Sequence, residues 1–383
     1  MTTVNANMYT LGRDDSRRKF LKNTAIALAG TALPAINFAQ TAAVAERSFS
    51  PVPGVWRTFE VTTRVDIAKS QGVTRVWLPI PSVNSDWQKS LESSYSSNGT
   101  ARMEDDEKYG AKMLYVEFAE SEAKPFIELT SRIQTQNRAQ NWSQKLAVAE
   151  DATTLKYWTQ PTSLLPTDGI VRKTALEATK GASTDVQKAQ MLYDWIVANT
   201  FREPKVRGCG EGDIKTMLET GNLGGKCADL NALFVGMCRS LGIPARDVYG
   251  IRMVPSAFGY RELGGNPASL KGAQHCRAEV YLTGYGWVGM DPADVAKVMR
   301  QETPEWIKSP QNPLVAPVNK GLFGGWEGNW MAYNVAHDVV LPHSKGPKLG
   351  FFMYPAGENA AGRFDSYAPD DFKYQITAKE IKA

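Results

Sequence analysis

Histidine is scarce in this chain. Its 383 residues hold three, His275, His337 and His343, so any chemistry that needs an imidazole has few candidates. Cysteine is scarce too. Cys209, Cys227, Cys238 and Cys276 show no C-x-x-C spacing, which argues against a zinc site, and four are too few for a disulfide scaffold. No apolar run reaches the ~18–20 residues that span a bilayer. The 44 Lys+Arg and 40 Asp+Glu leave only +4, with no basic stripe to suggest nucleic acid. No Asp/Asn/Gly loop has calcium-ligand spacing, so neither a metal nor another cofactor is expected. What is present, 43% hydrophobic and 22% charged residues, suits a globular protein of two or three domains.

The N-terminus reads as an address. Ser16-Arg17-Arg18-Lys19-Phe20-Leu21-Lys22 precedes an alanine-rich apolar stretch from about Ala25 to Ala35, and Ala43-Val44-Ala45 supplies a small-residue cleavage site. The arginine pair resembles the twin-arginine (Tat) export signal of bacteria. Cleavage after Ala45, export by the Tat machinery and a periplasmic location are the resulting expectations. Removing residues 1–45 takes away five Lys/Arg and two Asp/Glu and leaves a net charge of +1, so most of the basic excess belongs to this segment.

Residues 46–150 read as an antiparallel β domain. Runs rich in β-branched and aromatic residues occur at 56–65, 74–81, 113–118 and 126–133, and the polar residues 84–110 read as a long surface loop. Helical patterns follow within 151–300. Ser183-Thr184 with Gln187 offers a capping box ahead of Ala189, Leu192, Tyr193, Ile196 and Val197. A short helix is expected over 213–219 and another over 227–241, stopped by Gly242 and Pro244. Strands are expected at 246–252, 275–282 and 287–290. Residues 301–383 read as a β-rich C-terminal extension, in which an exposed aromatic stretch, 323–330, suits a partner surface or a cleft wall.

Gly224-Gly225-Lys226-Cys227-Ala228-Asp229-Leu230 is the most informative stretch. It places a cysteine at the start of an apolar helix, against the positive end of the macrodipole, where a thiol pKa falls. An attacking thiolate needs an imidazole to hold and deliver a proton, and a carboxylate to orient that imidazole. His275 and Asp291 lie on the two arms of an expected hairpin. An even loop would turn Asp291 to the wrong face. An odd loop such as Thr283-Gly284-Tyr285, or a one-residue bulge, sets Asp291 opposite Arg277, so that His275 and Asp291 become diagonal neighbours roughly 7–8 Å apart at the backbone. Cys276 is expected to turn away from the site by strand alternation, Cys238 to pack in the core, and Cys209 to be a free surface thiol or a disulfide partner.

Residues 224–246, with His275, Glu279-Val280-Tyr281, Gly286-Trp287-Val288 and Asp291-Pro292, resemble the transglutaminase-like superfamily. The resemblance implies an α+β, papain-like core with the nucleophile helix packed on an antiparallel sheet. It also implies Cys227 as nucleophile, His275 as base and Asp291 as orienting acid. One departure is Arg277, where the family often has tryptophan. For the oxyanion, the Cys227 N–H and the Asn222 side chain are candidates, and Asp229 is expected to cap or brace the helix. The function expected is an exported thiol enzyme, a cysteine peptidase or amidase. It would form an acyl-thioester on Cys227 from a peptide or protein amide substrate, resolved by water. Resolution by an amine, as in a protein-glutamine acyltransferase, is the alternative, as is a non-enzymatic cell-envelope binding protein.

Overall fold

In the computed structural model, residues 47–67, 71–145 and 150–382 are described. The expected signal segment lies outside them. Two antiparallel sheets begin the chain. In one, strands run in the order Tyr374–Ile381, Arg57–Asp66, Phe126–Thr135, Gln88–Ser97. The other runs Gly362–Arg363, Ala356–Asn359, Thr74–Pro79, Lys112–Phe118, Thr100–Asp105. Alternation in Arg57–Asp66 buries Phe59, Val61 and Val65. These join Val76, Leu78, Leu114 and Val116 of the other sheet, and Ile127, Leu129 and Ile133, in one apolar core.

Two expectations are corrected here. The stretch 84–110 holds two strands, each at the edge of a different sheet, with the chain crossing between sheets at Asn98-Gly99. An edge strand facing water needs little apolar surface, so its serines and glutamates hid it. Nor do residues 301–383 stand apart as an extension. Tyr374–Ile381 pairs with Arg57–Asp66, and Ala356–Asn359 with Thr74–Pro79. Glu46–Ala383 accordingly forms one compact unit.

A third sheet carries the candidate site. Its order is Gly286–Met290, Gln274–Leu282, Ala245–Arg252, Trp330–Asn334, all antiparallel. The helix Cys227–Ser240 packs on it, and every one of that helix's residues is buried. The helices Gly169–Ala178 and Asp185–Asn199 cover this cysteine-bearing helix. The second of these opens with the expected capping box, Thr184 with Gln187. The helix Pro292–Gln301 follows directly from the last arm of the hairpin, with Asp291 as its N-cap and Pro292 in its first turn. Among the described residues, no helix is long and apolar enough to cross a membrane.

The aromatic stretch 323–330 is largely interior. Trp326 and Trp330 are 1% exposed and meet Trp87, with ring centroids 5.0 and 5.9 Å from it. Trp330 lies on Gly250, where a Cβ would come 2.0 Å from the Met331 carbonyl oxygen and 2.6 Å from the Trp330 ring. Gly250 pairs with His275 across the sheet, so the absence of a side chain there lets an indole lie against the histidine strand.

Candidate active site

Cys227 is the first residue of its helix. Its N–H is one of the first-turn donors that an α-helix leaves without an intrahelical acceptor. Asp229 braces this start as expected, and does more. Its carboxylate accepts from the backbone N–H of Lys226 at 2.8 Å, and from those of Glu211 and Gly212, each at 2.9 Å. One buried carboxylate thus ties the turn at Cys227 to the glycine-rich loop 207–212. Gly210, at φ +88°, permits this approach, since a Cβ there would lie 1.8 Å from Asp229 Oδ2.

The hairpin has an odd loop. Leu282 pairs with Gly286 and Ala278 with Met290, leaving Thr283-Gly284-Tyr285 as the turn and setting Asp291 in register with Arg277. His275 and Asp291 meet diagonally, with His275 Nε2 2.6 Å from Asp291 Oδ2. Nε2 being so engaged, Nδ1 is left for the thiol. A second carboxylate also reaches the ring, Asp294 Oδ2 at 3.2 Å from Nε2. Asp294 follows Asp291 by one helical turn and forms a buried ion pair with Arg252. Asn231, one turn after Cys227, donates to Asp291 Oδ1 at 3.1 Å and to the Cys276 carbonyl at 2.8 Å. Trp330 Nε1 donates to the His275 carbonyl at 3.0 Å.

Burial and Arg252 both oppose a charged imidazole, yet the two carboxylates win and raise the His275 pKa to about 9. Burial likewise opposes a thiolate at Cys227. The neighbouring side chains of Cys209, Cys276 and His275, with the histidine's charge, favour it more and hold its pKa well below the ordinary thiol value. The arrangement is therefore suited to a thiolate–imidazolium pair at neutral pH. His275, Asp291 and Asp294 also have the geometry of a metal-ligand set. Arg252 pairs with one of these carboxylates and Arg277 Nε lies 3.5 Å from Asp291 Oδ2. Two guanidiniums beside the carboxylates make this a clamp for an imidazolium rather than a seat for a dication.

The remaining sequence candidates fall differently. Asn222 is exposed, and its Oδ1 accepts from Gly224 N at 3.3 Å. It sits in the solvent-facing turn before Gly224–Gly225 pairs with Phe201–Arg202, outside the cavity at Cys227. It is not positioned as an oxyanion donor. Cys209 is buried rather than on the surface, and it is unbonded to another cysteine. Its carbonyl accepts from Ala228 N at 2.9 Å, and its thiol donates to the Gln274 carbonyl at 3.1 Å. Cys276, expected to turn away, instead bears on both Cys227 and Cys209. Cys238 is fully buried in the core, as expected. Arg277 is buried under two indoles, 4.5 Å from the Trp330 ring centroid and 5.1 Å from that of Trp326.

Sequence reading missed Asp294, Arg252, Asn231 and Trp330. Two had local signals. Asp-Pro-x-Asp is an N-cap with an acidic residue one turn on, and Asn231 lies four residues from Cys227 on the same helical face. Arg252 and Trp330 come from distant segments and had none.

A cavity of about 210 Å³ opens at Cys227 and His275. Residues 172–292, which hold all of the groups around the ring except Trp330 and Asp294, match the family model described as "Transglutaminase-like superfamily". A relative from Haemophilus influenzae, described only as an uncharacterized protein, is 33% identical over 344 residues, covering 84% of this chain and 91% of that one. A crystal structure from Cytophaga hutchinsonii, provisionally described as a cysteine protease, superposes with a TM-score of 0.51 at 14% identity, covering 87% of this chain and 93% of its own. The fold, the family match and the helix-borne cysteine beside a histidine agree: this chain belongs to the transglutaminase-like superfamily, a family of thiol enzymes.

Proposed function

We propose that the protein is a cysteine hydrolase that cleaves a peptide or amide bond through an acyl-thioester on Cys227. The observation that carries this reading is the pairing of a low-pKa thiol with an imidazole kept cationic by Asp291 and Asp294. The thiolate attacks the acyl carbon while the Cys227 N–H, at the helix start, faces the developing oxyanion. His275 gives its proton to the leaving amine. Water then attacks the thioester, His275 takes its proton, and the acid leaves with the thiolate restored.

Water is favoured over an amine as the resolving group by the cavity itself. Its lining includes Arg202, Lys226, Lys271 and Lys297 and no carboxylate, so a protonated primary amine would be repelled on approach. Incubating peptide amides with the protein, with and without an excess of primary amine, tests this. Free acid as the product in both cases, and no turnover by Cys227→Ala, is the expected result. Activity retained in Cys227→Ala would sink the assignment, and an amine-linked product would favour acyl transfer.

We further infer that the enzyme works in the periplasm after Tat export, on the strength of Arg17-Arg18, the apolar stretch behind them and the Ala43-Val44-Ala45 site. Replacing both arginines by lysine should leave the full-length precursor in the cytoplasm. Normal export of that variant would remove the inference.

A further inference from the structure

Besides His275, the cavity at Cys227 is lined by five lysines and arginines, Arg202, Lys226, Arg252, Lys271 and Lys297, and by no aspartate or glutamate. Three of the five are matched by carboxylates behind or beside the wall. Arg252 pairs with Asp294, Lys271 with Asp370, and Lys297 Nζ lies 3.3 Å from Glu262 Oε2. The other two are not matched. Arg202 donates to a neutral group, Gln301 Oε1, at 3.0 Å. Lys226 adjoins Cys227 in sequence, is half-buried, and has no ion pair among the described residues. Burial and then the charge of Arg202 lower its pKa, against a smaller opposing pull from Cys209, Cys227 and Asp229, as expected of two cations held close together with no carboxylate in contact.

The adjoining cavity of about 360 Å³ shares Lys271, Pro369 and Tyr374 but also carries Asp66 and Asp370. The cations that lack carboxylate partners are therefore confined to the end at Cys227. Holding two unpaired cations together costs stability, and a bound anion would remove that cost.

We propose that Arg202 and Lys226 form a carboxylate-binding subsite, so that the substrate carries an anionic group on the residue next to the amide bond cleaved. This rests on the hydrolase reading of the same cavity. The carboxylate has two possible sources, an acidic side chain or the free C-terminus of a peptide. With only about 210 Å³ beside Cys227, the subsite has room for a small group of either kind.

The test needs no known substrate. Cys227 is alkylated with iodoacetate, an anion, and with iodoacetamide, its neutral counterpart, in wild type, Arg202→Gln and Lys226→Gln. The ratio of the two rates cancels changes in thiolate content and reports the cavity's preference for an anion. Removing one cation about 6 Å from the reagent's charge, at an effective dielectric of about 40, should lower that ratio about tenfold. Peptides with glutamate or glutamine at the residue next to the bond, each with a free or an amidated C-terminus, then identify the source. Faster cleavage of the glutamate pair points to a side chain, and dependence on the free terminus points to an α-carboxylate. An unchanged ratio in both variants, or equal cleavage of all four peptides, overturns the subsite and leaves the hydrolase reading intact. Inertness of Cys227 to both reagents at neutral pH overturns the hydrolase reading, and the subsite with it.

Discussion

Replacing Asp294 by asparagine tests whether two carboxylates, rather than one, keep His275 protonated. The substitution preserves volume and removes a charge 3.2 Å from His275 Nε2. At an effective dielectric of about 20, a charge pair at that distance is worth about 5 kcal/mol. Arg252 would lose its ion-pair partner and still repel the imidazolium. Halving the figure for relaxation of side chains and water leaves about 2.5 kcal/mol, close to two pH units at about 1.4 kcal/mol each. With only three histidines in the chain, NMR of protein labelled with ¹³C-histidine resolves each titration. In wild type the His275 signal should titrate near pH 9. In Asp294→Asn it should titrate about two pH units lower, and the basic limb of amide hydrolysis should move with it. His337 is an internal control, since burial, with Arg239 and Lys108, holds its pKa well below the ordinary value. A His275 that still titrates near pH 9 in the variant would refute the role given to Asp294.

Two further predictions concern the sheet beneath the site. Glu279 is buried between Arg246, at 2.6 Å, and Arg138, and although burial opposes its charge, the two guanidiniums lower its pKa from 4.5 to about 2. A depressed carboxylate contributes stability that is present above pH 4.5 and lost as pH falls through about 2, here about 3 kcal/mol. Urea denaturation should show Glu279→Gln less stable by about that amount at pH 7, with the difference shrinking below pH 4.5; equal stability at pH 7 would count against the clamp. Gly250→Ala should destabilise by about 2 kcal/mol or more, because the new methyl meets Met331 and Trp330. It should also slow alkylation of Cys227 by disturbing the indole bonded to His275, and a fully stable, fully reactive variant would show that the close fit is not needed.

Much of the site was legible because its determinants are local. A cysteine after two glycines at the head of an apolar run defines a helix start within a few residues. The hairpin's register follows from the length of one turn, so the meeting of His275 with Asp291 reduces to whether that turn has an odd count, which Thr283-Gly284-Tyr285 satisfies. The capping box at Thr184 is equally short-range. Where the reading failed, the cause was a partner elsewhere. Gln88–Ser97 is a strand because Phe126–Thr135 lies beside it, and Trp326 and Trp330 are interior because Trp87 and Arg277 cover them.

The sequence by itself determined the setting of Cys227 at a helix start, the meeting of His275 with Asp291, and the family, since each depends on backbone geometry within one or two adjoining elements. Tertiary structure alone decided the charge around them. Arg202, Lys226, Arg252, Lys271 and Lys297 are spread over nearly a hundred residues, and they share one cavity only because the strands Phe201–Arg202 and Ala245–Arg252, the start of the Cys227 helix, the turn before the His275 strand and the helix after Asp291 converge. Electrostatics acts through space and not along the chain, so the group that the site would bind could be inferred only after folding had brought those charges together.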